Sequence, residues 1–135
     1  MTNFLPASCH CGAVRFQAAV DLSKGGQCNC RICARLGMTG GMVKPDQFRI
    51  VAGAEHTTEY KNSIGARHFC KTCGVHCFGM GDLPELGGAF VSVNLNCFDG
   101  FEPLDAAIVH WDGRHDNWEA GPGSSPFRRD ARTVA

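Results

Sequence analysis

The chain has no net charge: its 135 residues hold 13 Lys and Arg against 13 Asp and Glu. It therefore lacks the basic field that phosphate backbones select, and nucleic acid is not a favoured partner. No stretch approaches the roughly 18 consecutive apolar residues of a membrane span. The first residues, MTNFLPASCH, have no basic start followed by an apolar core, so they do not read as a secretory leader. These absences point to a soluble, cytoplasmic protein with no membrane partner. Long helical stripes and internal repeats are missing as well, which excludes helical bundles and solenoids. Lys and Arg are absent between Leu83 and Gly113.

Cysteine is present in quantity. Seven of the nine fall into three tight groups, Cys9/Cys11, Cys28/Cys30/Cys33 and Cys70/Cys73. A reducing compartment keeps thiols reduced, so clustered cysteines there favour metal over disulfides. CxC and CxxC spacings suit chelation of a tetrahedral ion with metal–sulfur distances near ~2.3 Å.

With 44% apolar residues the chain can build one core, and one domain over residues 1–120 is expected. Residues 121–135, GPGSSPFRRDARTVA, read as a surface tail. Period-two alternation marks strands at Val14–Val20, Phe48–Ile50, Phe90–Leu95 and Ala107–Trp111. Glycines at 25–26, 40–41, 87–88 and 121–123 read as turns between them. Only CRICARLGM reads as a helical turn. The class is mainly β.

Cys9 and Cys11 lie in CHCGAV, and Cys70 and Cys73 in FCKTCGV; glycine follows each pair. Glycine lets the chain turn sharply around an ion while amides point at the sulfurs. Four thiolates saturate zinc, so this group reads as a structural staple whose binding energy is folding energy. CNCRIC supplies three further sulfurs within six residues, and three ligands leave a fourth position for chemistry. Three thiolates weaken zinc as an activator of water and favour a soft ligand such as a substrate thiol. His10, His68, His76, Cys77 or Cys97 would close that site if one of them reached it. A redox dithiol of Cys30 and Cys33 is disfavoured, because no strand followed by a helix is evident around them.

The order CHCGAV, CNCRIC, TTEY, HFCKTCGVH, VSVNL and IVHW resembles the glutathione-dependent formaldehyde-activating enzyme family from about Cys9 to Trp118. The resemblance implies a β-tent of small antiparallel sheets stapled by zinc. It also implies a carbon–sulfur lyase that joins glutathione to formaldehyde. By position, Cys9, Cys11, Cys70 and Cys73 would hold a structural zinc and Cys28, Cys30 and Cys33 a catalytic one. Arg31 stands where family members often carry a small residue, and Cys77 adds a thiol after CKTCG.

Glutathione presents a thiol and two carboxylates. Eight basic residues against three acids between Lys24 and Lys71 suit it, with Arg31, Arg35, Lys44 and Arg67 as candidate partners. His68, His76 and His110 are candidate proton shuttles, while Trp111 and Trp118 read as sheet packing. Two other readings use the same scaffold. One is a zinc-stapled binding module of the centromere protein V kind; the other is a methionine sulfoxide reductase, which would need Cys77 or Cys97 as a reactive thiol.

Overall fold

The computed structural model describes residues 3–62 and 65–130. Among them the chain is mainly β. A three-stranded sheet has the order β1 (Leu5–Ser8), β2 (Arg15–Ala18), β5 (Phe48–Ala52). A seven-stranded sheet runs β10 (Ala107–Trp111), β3 (Lys24–Cys28), β4 (Gly40–Val43), β9 (Gly88–Asn94), β8 (His76–Leu83), β7 (Gly65–Cys70), β6 (Thr57–Lys61). Every pairing is antiparallel except β3 with β10, which is parallel. One helix, α1 (Arg31–Leu36), follows β3 almost at once.

The core lies between the two sheets. Phe16 of β2 is 1% exposed and meets Phe78 of β8 and Phe98 edge-on, at ring separations of 5.5 and 5.6 Å. Val14, Val91, Val93 and Leu95 are among the buried side chains packed with them. Burial of each such side chain contributes about 1.5–3 kcal/mol.

The alternating strands appear where the pattern placed them, as β2, β5, β9 and β10. The glycine pairs require a correction. Gly25 and Gly26 lie inside β3, and Gly40 and Gly41 inside β4. They serve close packing there, not turning. A Cβ on Gly25 would sit 2.9 Å from Thr39 Cγ2, and one on Gly41 would sit 2.9 Å from Val20 Cγ2.

A second correction concerns CNCRIC, which does stand between a strand and a helix, β3 and α1. β3 went unseen because its sequence, KGGQC, carries almost no apolar side chain.

Of the tail, residues 131–135 lie outside the described residues. The part before them is fastened at three points. Gly123 pairs with His110 of β10, the Arg128 carbonyl accepts from Asn29 Nδ2 at 2.8 Å, and Asp130 meets His115 at 3.0 Å.

Candidate metal centre

The structure gathers the seven cysteines into two groups. The sulfurs of Cys9, Cys11, Cys70 and Cys73 all lie within 4.8 Å of one another, and so do those of Cys28, Cys30 and Cys33. All nine cysteines are thiols. In the larger group Cys11 Sγ is 3.7 Å from both Cys9 Sγ and Cys70 Sγ. A tetrahedral ion with metal–sulfur distances near ~2.3 Å needs sulfur edges of about 3.8 Å. The four-sulfur group therefore fits such an ion.

Local chain geometry explains that fit. Cys9 and Cys11 occupy the turn from β1 to β2, while Cys70 ends β7 and Cys73 sits in the turn to β8. The group thus joins the small sheet to the large one. Gly12 and Gly74 hold φ of 81° and 77°, the left-handed region that favours glycine. Backbone amides turn inward: Val14 N–H donates to Cys9 Sγ at 3.3 Å and Thr72 N–H to Cys70 Sγ at 3.4 Å. Such donors favour the charged sulfur. The backbone amide of Cys73, with that of Thr72 adding, draws the Cys70 thiol below its ordinary value. The amides of Cys11 and Val75 hold Cys73 at about 6.

The three-sulfur group is built differently. Cys28 ends β3, Cys30 precedes the first turn of α1 and Cys33 lies within it. Hydrogen bonds from the Cys28 and Cys33 thiols draw Cys30 down to about 2, with the Arg67 guanidinium adding to them. Cys33 is pushed up because Cys28 and Cys30 compete for its proton and its charge. Among the described residues no fourth His, Cys, Asp or Glu completes this group. His10 is exposed on the other turn, Cys77 and Cys97 are buried in the core, and His68 pairs with Glu59 at 3.7 Å.

Beside this group opens a cleft of about 490 Å³. Arg31 and Ile32, which separate Cys30 from Cys33, form one wall. Arg67 of β7 lines the cleft too, with Nη2 3.9 Å from Cys33 Sγ. Arg35 and His76 also line it, and no Asp or Glu does. Three of the four basic candidates thus meet here. Lys44 does not: its Nζ donates to the Leu86 and Gly87 carbonyls at 3.2 and 3.3 Å, far along the chain from the cleft residues.

His76 stands out in this wall. It is 9% exposed, and its Nε2 has no hydrogen-bond partner. An unpaired buried polar group of this kind costs about 1–3 kcal/mol.

Sequence reading missed the support beneath the triplet. Asn29 Nδ2 donates to Asp112 Oδ1 at 2.7 Å, and Arg114 N–H donates to Asn29 Oδ1 at 2.9 Å. Arg114 Nε also donates to the Asn29 carbonyl at 2.9 Å. His115 Nδ1 lies 2.6 Å from Asp112 Oδ1. A Cβ on Gly113 would come within 2.6 Å of Cys28 Sγ. The only available signal was a polar cluster, DGRHD, directly after the last strand.

Cys77 and Cys97 do not suit a reactive thiol. Both are buried, Cys77 completely, and the neighbouring Cys97 thiol together with burial pushes Cys77 upward. A catalytic thiol needs the opposite environment.

The sequence model for glutathione-dependent formaldehyde-activating enzymes matches residues 4–113. A Halomonas elongata protein named as a candidate enzyme of that kind is 38% identical over 80 residues, covering 51% of each chain. A Penicillium rubens protein with the same name is 32% identical over 111 residues, covering 75% of this chain and 58% of that one. The chain spans little more than half the length of these curated relatives. A crystal structure of a Rhodobacter sphaeroides protein superposes with a TM-score of 0.68 and 27% identity, over 79% of this chain and 99% of that one. Among the described residues no helix is long and apolar enough to cross a membrane.

Proposed function

The chain belongs to the glutathione-dependent formaldehyde-activating enzyme family, and we propose on that premise that it is a zinc-dependent carbon–sulfur lyase. It joins a thiol, glutathione, to a small aldehyde such as formaldehyde, or cleaves the adduct. The observation that carries this reading is the three-sulfur group beside an arginine-walled cleft.

Soft thiolate donors select zinc over hard cations. Cys9, Cys11, Cys70 and Cys73 hold a structural zinc, and Cys28, Cys30 and Cys33 hold the catalytic one. When bound at the triplet, zinc would keep a substrate thiol in its nucleophilic, thiolate form. The protein supplies the rest. Arg31, Arg35 and Arg67 offer forked donors that match the two carboxylates of glutathione, whereas Lys44 is committed elsewhere. Asn29, gripped by Asp112 and Arg114, keeps the CNCRIC loop in register. Residues 1–120 form the working domain with 121–135 as its tail, and the protein acts in the cytoplasm, where thiols stay reduced.

The test is exchange spectroscopy of glutathione with formaldehyde, with and without the zinc-loaded protein. Acceleration of S-hydroxymethylglutathione formation that vanishes in Cys30→Ser is expected. No acceleration with formaldehyde or other short aldehydes would contradict the reading and favour a non-catalytic binding module.

A further inference from the structure

Residues 121–130 read as a surface tail in sequence, yet the fold ties them to the loop that carries the triplet. The junction is Asn29, which stands between Cys28 and Cys30 and is 5% exposed. Its Nδ2 has two hydrogens and both are used, one on Asp112 Oδ1 at 2.7 Å and the other on the Arg128 carbonyl at 2.8 Å. Its Oδ1 accepts from Arg114 N–H and its backbone carbonyl from Arg114 Nε, each at 2.9 Å. Its N–H donates to the Trp111 carbonyl at 3.3 Å. No donor or acceptor group of Asn29 is left over, and every partner lies more than eighty residues further along.

The segment is anchored on both sides of Arg128. Gly123 N–H donates to the His110 carbonyl at 2.7 Å, and His110 N–H donates back to the Gly123 carbonyl at 2.9 Å. His110 belongs to β10, which pairs with β3 so that Trp111 stands opposite Cys28. Phe127 packs over Gly123, where an added Cβ would meet its Cζ at 3.0 Å. Beyond Arg128, Asp130 Oδ1 lies 3.0 Å from His115 Nε2. His115 Nδ1 in turn lies 2.6 Å from the same Asp112 Oδ1 that Asn29 uses.

Three sulfurs within six residues can meet one ion only while their loop keeps its shape. A loop already fixed loses less conformational entropy when its sulfurs close on metal. Hydrogen-bonded groups around metal ligands typically govern about 10–100-fold in affinity. We propose that residues 121–130 form a strap that acts through Asn29 to hold CNCRIC in its metal-binding shape, and so sets how firmly the triplet keeps its ion. Asn29 and the Arg128 carbonyl are positioning groups, since the ligand atoms are the three sulfurs. The role rests on the triplet as a metal group and not on the thiol–aldehyde reaction. Linkage makes it reciprocal: a strap that tightens the metal is itself tightened by metal.

Hydrogen exchange of the full chain, before and after a mild chelator empties the triplet, reads one direction of this coupling. Peptides covering residues 121–130 should exchange at least about 5-fold more slowly in the zinc-loaded protein. Competition with a chromogenic chelator reads the other direction, with the four-sulfur ion as internal control. Asn29→Asp keeps the acceptor for Arg114 but sets an oxygen against Asp112 and the Arg128 carbonyl. It should hold triplet zinc roughly 10-fold more weakly while the four-sulfur ion stays at wild-type affinity. Phe127→Ala loosens the strap without touching the loop, and should weaken triplet zinc by a smaller factor even if Asn29→Asp fails to fold. Exchange in residues 121–130 that ignores zinc, together with wild-type triplet affinity in Phe127→Ala, overturns the strap. Wild-type protein that holds only the four-sulfur ion overturns the metal reading of the triplet, and the strap falls with it. Both effects in a protein without lyase turnover uphold the strap and count against the proposed reaction alone.

Discussion

The two sulfur groups present the same donor atom in different surroundings. The four-sulfur group bridges two sheets, and backbone amides turned in by Gly12 and Gly74 offset its charge. The three-sulfur group sits on one loop and one short helix, with Arg67 3.9 Å from Cys33 and a cleft beside it. Backbone amides also reach Cys28 and Cys30, so the difference lies in the fourth sulfur of the first group and in the guanidinium beside the second. A guanidinium on a cleft wall can serve sulfur and ligand alike, which suits exchange. Ligand count alone separates the groups numerically; the identity of the groups around the sulfurs gives that separation a chemical meaning.

The largest way to break this comparison is Cys73→Ser. Structural zinc contributes an apparent ~10 kcal/mol or more to small metallo-domains, comparable with the whole stability of a domain. The variant should lose one ion and its cooperative melting transition. Retained melting with full metal content would place the staple elsewhere. Cys30→Ser should behave oppositely, losing the other ion and all turnover while melting within about 5 °C of wild type, a shift that corresponds to roughly 1 kcal/mol. Collapse of the fold in that variant would make both groups structural.

Arg67→Gln is expected to act more gently. Removing one charge-assisted carboxylate contact worth about 1.5–3 kcal/mol should raise KM for glutathione roughly 10-fold or more with metal content unchanged. An unaltered KM would remove Arg67 from the binding wall.

The smallest effect concerns the strap under the triplet. Hydrogen bonds to Asp112 and then Asp130 raise His115 above its ordinary 6.5. A raised folded value means that the stabilisation is complete below the unfolded value of 6.5 and is lost as pH rises through the higher folded one. The melting difference between wild type and His115→Gln should therefore be greatest below pH 6.5 and shrink as pH rises, as read by thermal scans across that range. A difference that grows with pH would contradict the ion pairing.

Much of this was legible in sequence because cysteine spacing is local. CxC, CxxC and CNCRIC place sulfurs together whatever the rest of the chain does. The long-range pairing of Cys9 and Cys11 with Cys70 and Cys73 was accessible through ligand arithmetic. Phe16, Val91 and Val93 announced their strands because each sheet has a buried face. β3 and β4 did not, since their glycines make room for Thr39, Val20 and Leu95 and leave no alternation to read. The cleft was hidden for a different reason. Arg31 lies far in sequence from Arg67 and His76, and only the folded chain brings them to one cleft. Asn29 carried no signal, because its partners Asp112 and Arg114 lie more than eighty residues away.

The central claim is that one group is closed and the other exchangeable. Elemental analysis of the purified protein, after dialysis against a mild chelator with and without glutathione, tests it directly. The account predicts two zinc ions per chain, one retained throughout and one whose retention changes with glutathione. Two ions equally inert to chelator and thiol, or a single ion in all conditions, would contradict it.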